Sequence, residues 1–296
     1  MSASLETALT NARAWLESDP DFETQNELSA LLSKADAGDM AASAVLNQRF
    51  KGRLEFGTAG IRGPLGFGPQ AMNRVVVSQT TAGLAKYLIS QVACETRKLR
   101  VLVVYDARKN SSVFARGTAE VLSGHGIDVL LSPNRVPTPI VAFGVRRLRC
   151  DAGVMVTASH NSARDNGYKV YFGGDDQGSQ IVPPVDQRIE QRISLVADTL
   201  RFDEIPRSTD RVSSTPPSLV NDYLRDTVTT VALAPAGQRP LSVVYTPMHG
   251  VGGISFSKSS NPPVFRLLRW SNSSFNPTLA SRPSPSPILK NEEHLT

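Results

Sequence analysis

The chain has 296 residues, of which 40% are apolar and 20% charged, with 21 glycines and 20 prolines. This length and composition predict a globular chain of one to three domains and exclude a disordered protein. The net charge of +5 does not indicate a nucleic-acid partner, because residues 251–296 carry +3 of it.

The sequence also shows no pattern of a secretion signal or of a membrane-spanning segment. The N-terminus has no basic stretch followed by an apolar one, and no apolar run reaches the roughly 18 residues that cross a bilayer. We therefore expect a cytoplasmic protein without a membrane partner. Nothing in the sequence indicates its oligomeric state.

The first part of the chain combines helical spacing with a glycine-rich segment. Leucine and alanine recur at helical spacing through residues 1–44, which predicts an N-terminal helical segment. Glycines then recur through residues 51–68, with Arg62 among them. Glycine lets backbone N–H groups approach a phosphate, and arginine is a forked donor suited to bind one. By itself, this pattern more often reflects ordinary turns than a phosphate site.

Strands and helices alternate next. A helix is predicted at 71–93, followed by strands at 101–105, 127–131 and 152–156 and by helices at 113–124, 137–147 and 186–200. This order predicts an α/β fold with a mixed, mainly parallel sheet flanked by helices, whose sites lie beyond the carboxyl ends of the strands. Asp106, Thr138 and Ser159 are therefore expected on one rim of the sheet. Lys169 lies in a further β-rich segment that returns towards Ser159.

Composition divides the remainder of the chain. Residues 45–207 are predicted to form the first α/β domain, 208–218 a linker rich in Ser, Thr and Pro, and 219–253 the start of a second α/β domain. Residues 254–296 contain ten serines and six prolines in 43 positions. We expect this tail to be irregular and disordered.

The loop after strand 152–156 reads Thr157-Ala-Ser-His-Asn161 and places a serine on a polar turn. Its polar side chains could simply satisfy the backbone of the turn. A hydrolase nucleophile is a second reading, although the Gly-x-Ser-x-Gly elbow is absent and a histidine adjacent in sequence rarely reaches its neighbour's hydroxyl.

A third reading comes from two motifs together. The serine loop and the upstream string Phe56-Gly-Thr-Ala-Gly-Ile-Arg-Gly63 resemble the α-D-phosphohexomutase family, and more closely its phosphoglucomutase/phosphopentomutase branch. The resemblance extends from about residue 45 to about residue 253 of this sequence. Ser162 stands where the family usually has proline, which loosens the turn without removing a reacting group.

The resemblance implies a catalytic set. Ser159 would carry the phosphoryl group, donate it to a small-molecule sugar phosphate and so form a sugar 1,6-bisphosphate. Arg62 and Lys169 match the family's cations near the transferring phosphate, while His160 and Asn161 flank the nucleophile. The phosphate-binding residues would be Arg62, Asn161 and Lys169.

The resemblance also implies a bound Mg²⁺, with Ser159 a ligand through its phosphate. Magnesium requires several oxygen ligands, yet no Asp-x-Asp-x-Asp string follows Gly253. Back-translating the tail in a shifted frame gives acidic, proline-punctuated strings like the family's, so we interpret residues 254–296 as frameshifted. The sequence thus predicts a phosphosugar mutase chain that is truncated and inactive, or alternatively a non-catalytic sugar-phosphate-binding or interaction fragment. It does not distinguish hexose from pentose phosphates.

Overall fold

The structure is a computed structural model that describes residues 3–91, 98–231, 242–244, 250–253 and 266–269. The helices, in chain order, are α1 (Ala3–Ser18), α2 (Phe22–Asp36), α3 (Met40–Phe50), α4 (Arg74–Gln91), α5 (Ser111–Gly124), α6 (Pro139–Arg147), α7 (Val185–Thr199) and α8 (Leu219–Val231). The strands are β1 (Ile61–Pro64), β2 (Arg100–Tyr105), β3 (Asp128–Leu131), β4 (Ala152–Val156), β5 (Asp165–Phe172), β6 (Ser179–Gln180), β7 (Val212–Ser214), β8 (Ser242–Val244) and β9 (Arg266–Arg269).

Seven of these strands form one sheet. The order is β1-β5-β4-β2-β3-β7, with β6 paired to β5. The pairs β4–β2, β2–β3 and β3–β7 are parallel, whereas β5 runs antiparallel to β4 and to β1. Every residue of β4 is buried, as expected for a central strand covered on both faces. The prediction of a mixed, mainly parallel sheet is confirmed.

Helices cover both faces of this sheet. Val101 and Val103 of β2 pack into a core with α4, α5 and α7. The alternate residues Leu102 and Val104 pack into a second core with α6 and α8. The short apolar run of β2 therefore contributes side chains to both cores, because successive side chains of a strand point to opposite faces.

The N-terminal helices α1, α2 and α3 form a third core of their own. Phe67, on the loop before α4, completes this core beside Phe50. The Arg49 guanidinium lies 5.6 Å from the centroid of the Phe67 ring. The helices expected in this part of the chain are present, and α3 continues to Phe50, past the boundary predicted at residue 44.

The segment predicted as a linker, residues 208–218, is partly built into the sheet. Strand β7 pairs in parallel with β3, and the N–H of Thr215 donates to the carbonyl of Leu131. The edge of β3 offers backbone groups that this segment satisfies, which outweighs its Ser- and Thr-rich composition.

Helix α8, directly after β7, packs on α6. Leu219 is buried in the core shared with α6, and the rings of Phe143 and Tyr223 meet edge to face at 5.5 Å. Arg147 and Asp222 form an ion pair of 3.6 Å. The chain thus stays attached to the first domain through the start of α8.

The remaining predictions concern the C-terminal part of the chain. Strand β8 lies where a strand of a second α/β unit was expected, and it pairs in parallel with β9. Strand β9 falls within the tail predicted to be irregular, and the rest of 254–296 lies outside the described residues. Among the described residues, none of the helices combines the length and apolar character that a bilayer span requires.

Candidate active site

Ser159 lies on an exposed turn beyond the carboxyl end of β4. Its backbone is left-handed, with φ of 57°, and its N–H donates to Thr157 Oγ1 at 2.9 Å. Ser159 Oγ lies 3.3 Å from His160 Nδ1. Within the described residues no carboxylate contacts this imidazole, so the geometry does not assemble a Ser–His–Asp triad.

Arg108 braces the serine loop from the neighbouring strand end. Its Nη2 donates to the carbonyls of Ser159 and Asn161, both at 2.8 Å. Its Nη1 donates to the carbonyls of Ser162 at 2.6 Å and Asp165 at 3.0 Å. The forked geometry of a guanidinium allows these four contacts at once.

The hydrogen bonds of Arg108 are strong enough to offset the backbone strain at Ser159. A hydrogen bond to a charged group stabilises by about 1.5–3 kcal/mol. A non-glycine residue in the left-handed region costs about 1–3 kcal/mol. Four charge-assisted contacts from Arg108 therefore outweigh the strain at Ser159.

Asp106 connects the brace to the strand ends. Its carboxylate accepts from Thr157 Oγ1 at 2.6 Å, from Ser111 Oγ at 2.7 Å and from the Arg108 N–H at 3.0 Å. Thr157 in turn accepts the N–H of Ser159. The predicted placement of Asp106 and Ser159 on one rim is thus observed. The segment leading to Thr138 reaches the same end of β2, since the Val136 N–H donates to the Tyr105 carbonyl.

Arg62 reaches the same loop from β1. Its Nη1 donates to Asn161 Oδ1 at 2.9 Å, and Asn161 Nδ2 donates to Asp165 Oδ2 at 3.0 Å. Arg62 pairs with Gly167 in the β1–β5 ladder. Lys169 lies two residues further along β5, so both cationic side chains are on one face of the sheet.

Lys169 is partly buried and lies near the positive charge of Arg62. Partial burial lowers the pKa of the Lys169 ammonium, and the positive charge of Arg62 lowers it further. Both effects disfavour the charged form. A lowered pKa makes the ammonium a better proton donor, which suits a proton-transfer role.

Replacing Arg62 by glutamine is expected to raise the pKa of Lys169, because the repulsion between the two cations is removed while the burial remains. The titration of the Lys169 side chain followed by ¹³C NMR measures this change. Arg116→Gln, on the exposed face of α5, is the matched control and should leave the titration unchanged. An unaltered or lowered pKa in the Arg62→Gln variant would contradict the assigned interaction.

The glycine-rich loop before β1 is held by residues far along the chain. Glu190 of α7 accepts the N–H of Phe56 at 3.1 Å, and Gln180 donates to the carbonyl of Thr58 at 2.7 Å. Gly60 has φ of 76°, and a Cβ there would lie 1.8 Å from the Tyr168 carbonyl oxygen. Glycine is therefore required where the loop enters β1 beside β5.

Two carboxylates that contact the serine loop already accept hydrogen bonds. Asp106 accepts from three donors, and Asp165 accepts from Asn161. The part of the chain that the structure describes contains no cluster of three or more His, Cys, Asp or Glu side chains suited to a metal ion. These residues therefore do not by themselves fit a magnesium site.

The structure thus brings together most of the predicted site. Direct hydrogen bonds link Arg62 to Asn161 and Ser159 to His160, and Lys169 joins them through its place on β5. The fourfold contact of Arg108 lies beyond what the sequence pattern specifies, although its position after a strand end was a usable signal.

Comparison with protein families gives one match across the first domain. Residues 53–198 match the model described as phosphoglucomutase/phosphomannomutase, alpha/beta/alpha domain I. A Burkholderia thailandensis structure described as a phosphoglucomutase/phosphomannomutase family protein aligns with a TM-score of 0.54 and 21% identity. That alignment covers 72% of this chain and 43% of the solved chain, and it supports the fold.

Three relatives extend the comparison. The Saccharomyces cerevisiae phosphoribomutase is 36% identical over 82% of this chain and 39% of its own length. The Homo sapiens phosphopentomutase is 34% identical over 80% of this chain and 39% of its own length. A Staphylococcus aureus phosphoglucomutase is 36% identical over 68% of this chain and 35% of its own. The chain therefore spans about two-fifths of the length of the relatives it matches.

Proposed function

The N-terminal portion of this chain belongs to the phosphoglucomutase/phosphomannomutase family, and from that premise we propose that it carries the phosphoryl-transfer residues of a phosphosugar mutase. The observation that carries the proposal is the left-handed, exposed Ser159 on a loop that Arg62 binds through Asn161, with Lys169 on the same face of the sheet as Arg62. Residues 45–207 would be the phosphoserine domain, and 219–253 the start of the next.

In the proposed reaction Ser159 is the phosphoryl carrier. A hydroxyl oxygen of a sugar monophosphate forms a bond to the phosphorus of phosphorylated Ser159 while the bond to Oγ breaks. The hydroxyl proton is transferred in net to Oγ. The resulting sugar bisphosphate turns round and returns its other phosphoryl group to Ser159 by the reverse of the same step.

The residues around Ser159 would have different roles in this reaction. Arg62 and Lys169 would neutralise the charge on the transferring group, and Lys169 would assist the proton transfer because its pKa is lowered. Asn161, held by Arg62, would bind phosphate oxygens, and His160 would flank the nucleophile 3.3 Å from Oγ. A magnesium ion bound to the Ser159 phosphate would need oxygen ligands beyond those of the described residues.

The relatives' names cover both pentose and hexose phosphates, so the substrate class is a sugar phosphate of either size. Incubation of the purified chain with Mg²⁺ and either glucose 1,6-bisphosphate or ribose 1,5-bisphosphate tests the proposal. We expect slow gain of one phosphoryl group, located at Ser159 by tandem mass spectrometry, and little or no turnover of glucose 1-phosphate. Binding of the bisphosphate without labelling would favour a non-catalytic sugar-phosphate-binding fragment instead.

A further inference from the structure

The four carbonyl oxygens that Arg108 binds belong to the serine loop and to Asp165, the first residue of β5. The N–H groups of His160, Ser162 and Ala163 have no acceptor among the described residues. The carbonyls of Ser159, Asn161, Ser162 and Asp165 are all directed to the guanidinium. Arg108 therefore satisfies these four carbonyl oxygens, while the three N–H groups remain without an acceptor in the described part of the chain.

We propose that Arg108 is a positioning residue that prepares the serine loop for a phosphoryl group by binding its carbonyl oxygens. The proposal rests on the proposed function of Ser159. A phosphoryl group is anionic and is repelled by carbonyl oxygens, whereas backbone N–H groups attract it. Binding the carbonyls to one cation leaves the free N–H groups of the loop as the donors available to phosphate oxygens.

The position of Arg108 is itself fixed before any ligand binds. Its side chain is 14% exposed, and its Nε lies 3.5 Å from Asp106 Oδ2. The same carboxylate accepts from Thr157, which accepts the N–H of Ser159. The contacts therefore close a circuit from Asp106 through Thr157 and Ser159 to Arg108 and back to Asp106. A closed circuit of this kind reduces the reorganisation required when the phosphoryl group arrives.

The proposal depends on the fork of the guanidinium and not on its charge. Lysine keeps the charge but presents its three donors from a single nitrogen, so it cannot bind four carbonyls spread over the loop. Arg108→Lys is therefore the informative substitution. Asp106→Asn is a second variant. It weakens the contacts that hold Arg108 in position, while residue 108 itself remains an arginine.

Two measurements separate positioning from general stability. In the Arg108→Lys variant we expect amide hydrogen exchange of residues 158–165 to accelerate about tenfold or more, with exchange in β2 and β4 unchanged. The rate of Ser159 phosphorylation at saturating bisphosphate should fall about 10- to 100-fold, while the half-saturating concentration changes little. Asp106→Asn should shift both readouts in the same direction, and the exposed control Arg116→Lys should shift neither.

The outcomes distinguish this inference from the proposed function. If the wild-type chain gains no phosphoryl group, the function of Ser159 is wrong, yet the exchange measurement still tests the brace. Unchanged loop exchange in both the Arg108→Lys and Asp106→Asn variants would overturn the positioning role. Equal acceleration across β2, β4 and the loop would also overturn it, since that result assigns Arg108 a general structural role. Restoration of the labelling rate in Arg108→Ala by free guanidinium would support it.

Discussion

Replacing Ser159 by alanine is expected to abolish phosphoryl uptake from a sugar bisphosphate, lowering the rate of labelling by at least about 1000-fold. Alanine removes the only atom of that side chain that can bond to phosphorus, and no neighbouring hydroxyl occupies its position in the loop. The fold should remain intact because the side chain of Ser159 is exposed. Intact-mass spectrometry after incubation with bisphosphate and Mg²⁺ measures the loss.

Ser162→Ala is the matched control for this variant. Ser162 lies on the same loop and is exposed, and the one hydrogen bond of its Oγ among the described residues is from the Arg164 N–H at 3.3 Å. Its replacement should leave labelling within about threefold of the wild-type rate, since a weak surface contact of this kind is worth little. Labelling that persists in Ser159→Ala, or that disappears in Ser162→Ala alone, would transfer the carrier role to another residue.

Replacing Gly60 by alanine is expected to lower the free energy of unfolding by about 3–5 kcal/mol. The left-handed backbone at φ of 76° already penalises a side chain, by roughly 1–2 kcal/mol. The added Cβ would also lie 1.8 Å from the Tyr168 carbonyl oxygen, inside the β5 strand that carries Lys169. The chain must shift at the entry to β1, which moves Arg62 away from Asn161. Denaturant unfolding followed by circular dichroism measures the destabilisation.

Gly57→Ala provides the comparison within the same loop. A Cβ at Gly57 meets no atom within 4 Å, and the residue is not left-handed. Its replacement should change the free energy of unfolding by less than about 1 kcal/mol. Equal stability losses in the two variants would show that loop rigidity in general, and not the approach of Gly60 to β5, determines the effect.

The sequence predicts the sheet of this protein because its strands are short, continuous apolar runs. The run at 152–156 is buried at every position, and a run with that property is typical of a central parallel strand. Helix positions follow from spacing in the same way, with ends displaced by a few residues, as for α4 at Arg74–Gln91 against a predicted 71–93. The serine loop and Arg62 could be selected because their strings are specific.

Other features depend on backbone groups that carry no residue signature. Strand β7 forms because the edge of β3 is open to pairing, whereas its own sequence is polar and reads as a linker. The contacts of Arg108 end on carbonyl oxygens, which every residue has, so the sequence could indicate loop bracing but not its four partners. The bond from Phe56 to Glu190 joins residues 134 positions apart. Such pairings are decided by the tertiary fold.

The pairing of β7 with β3 has a mechanical consequence. A segment hydrogen-bonded into a sheet cannot serve as a pivot, and the start of α8 is fixed in turn by Leu219, Asp222 and Tyr223 against α6. Any domain that follows in the chain would therefore swing about a point beyond Tyr223, well after the Ser- and Pro-rich stretch whose composition resembles a hinge. The first domain and the front of α8 would then move together as one rigid body relative to such a domain.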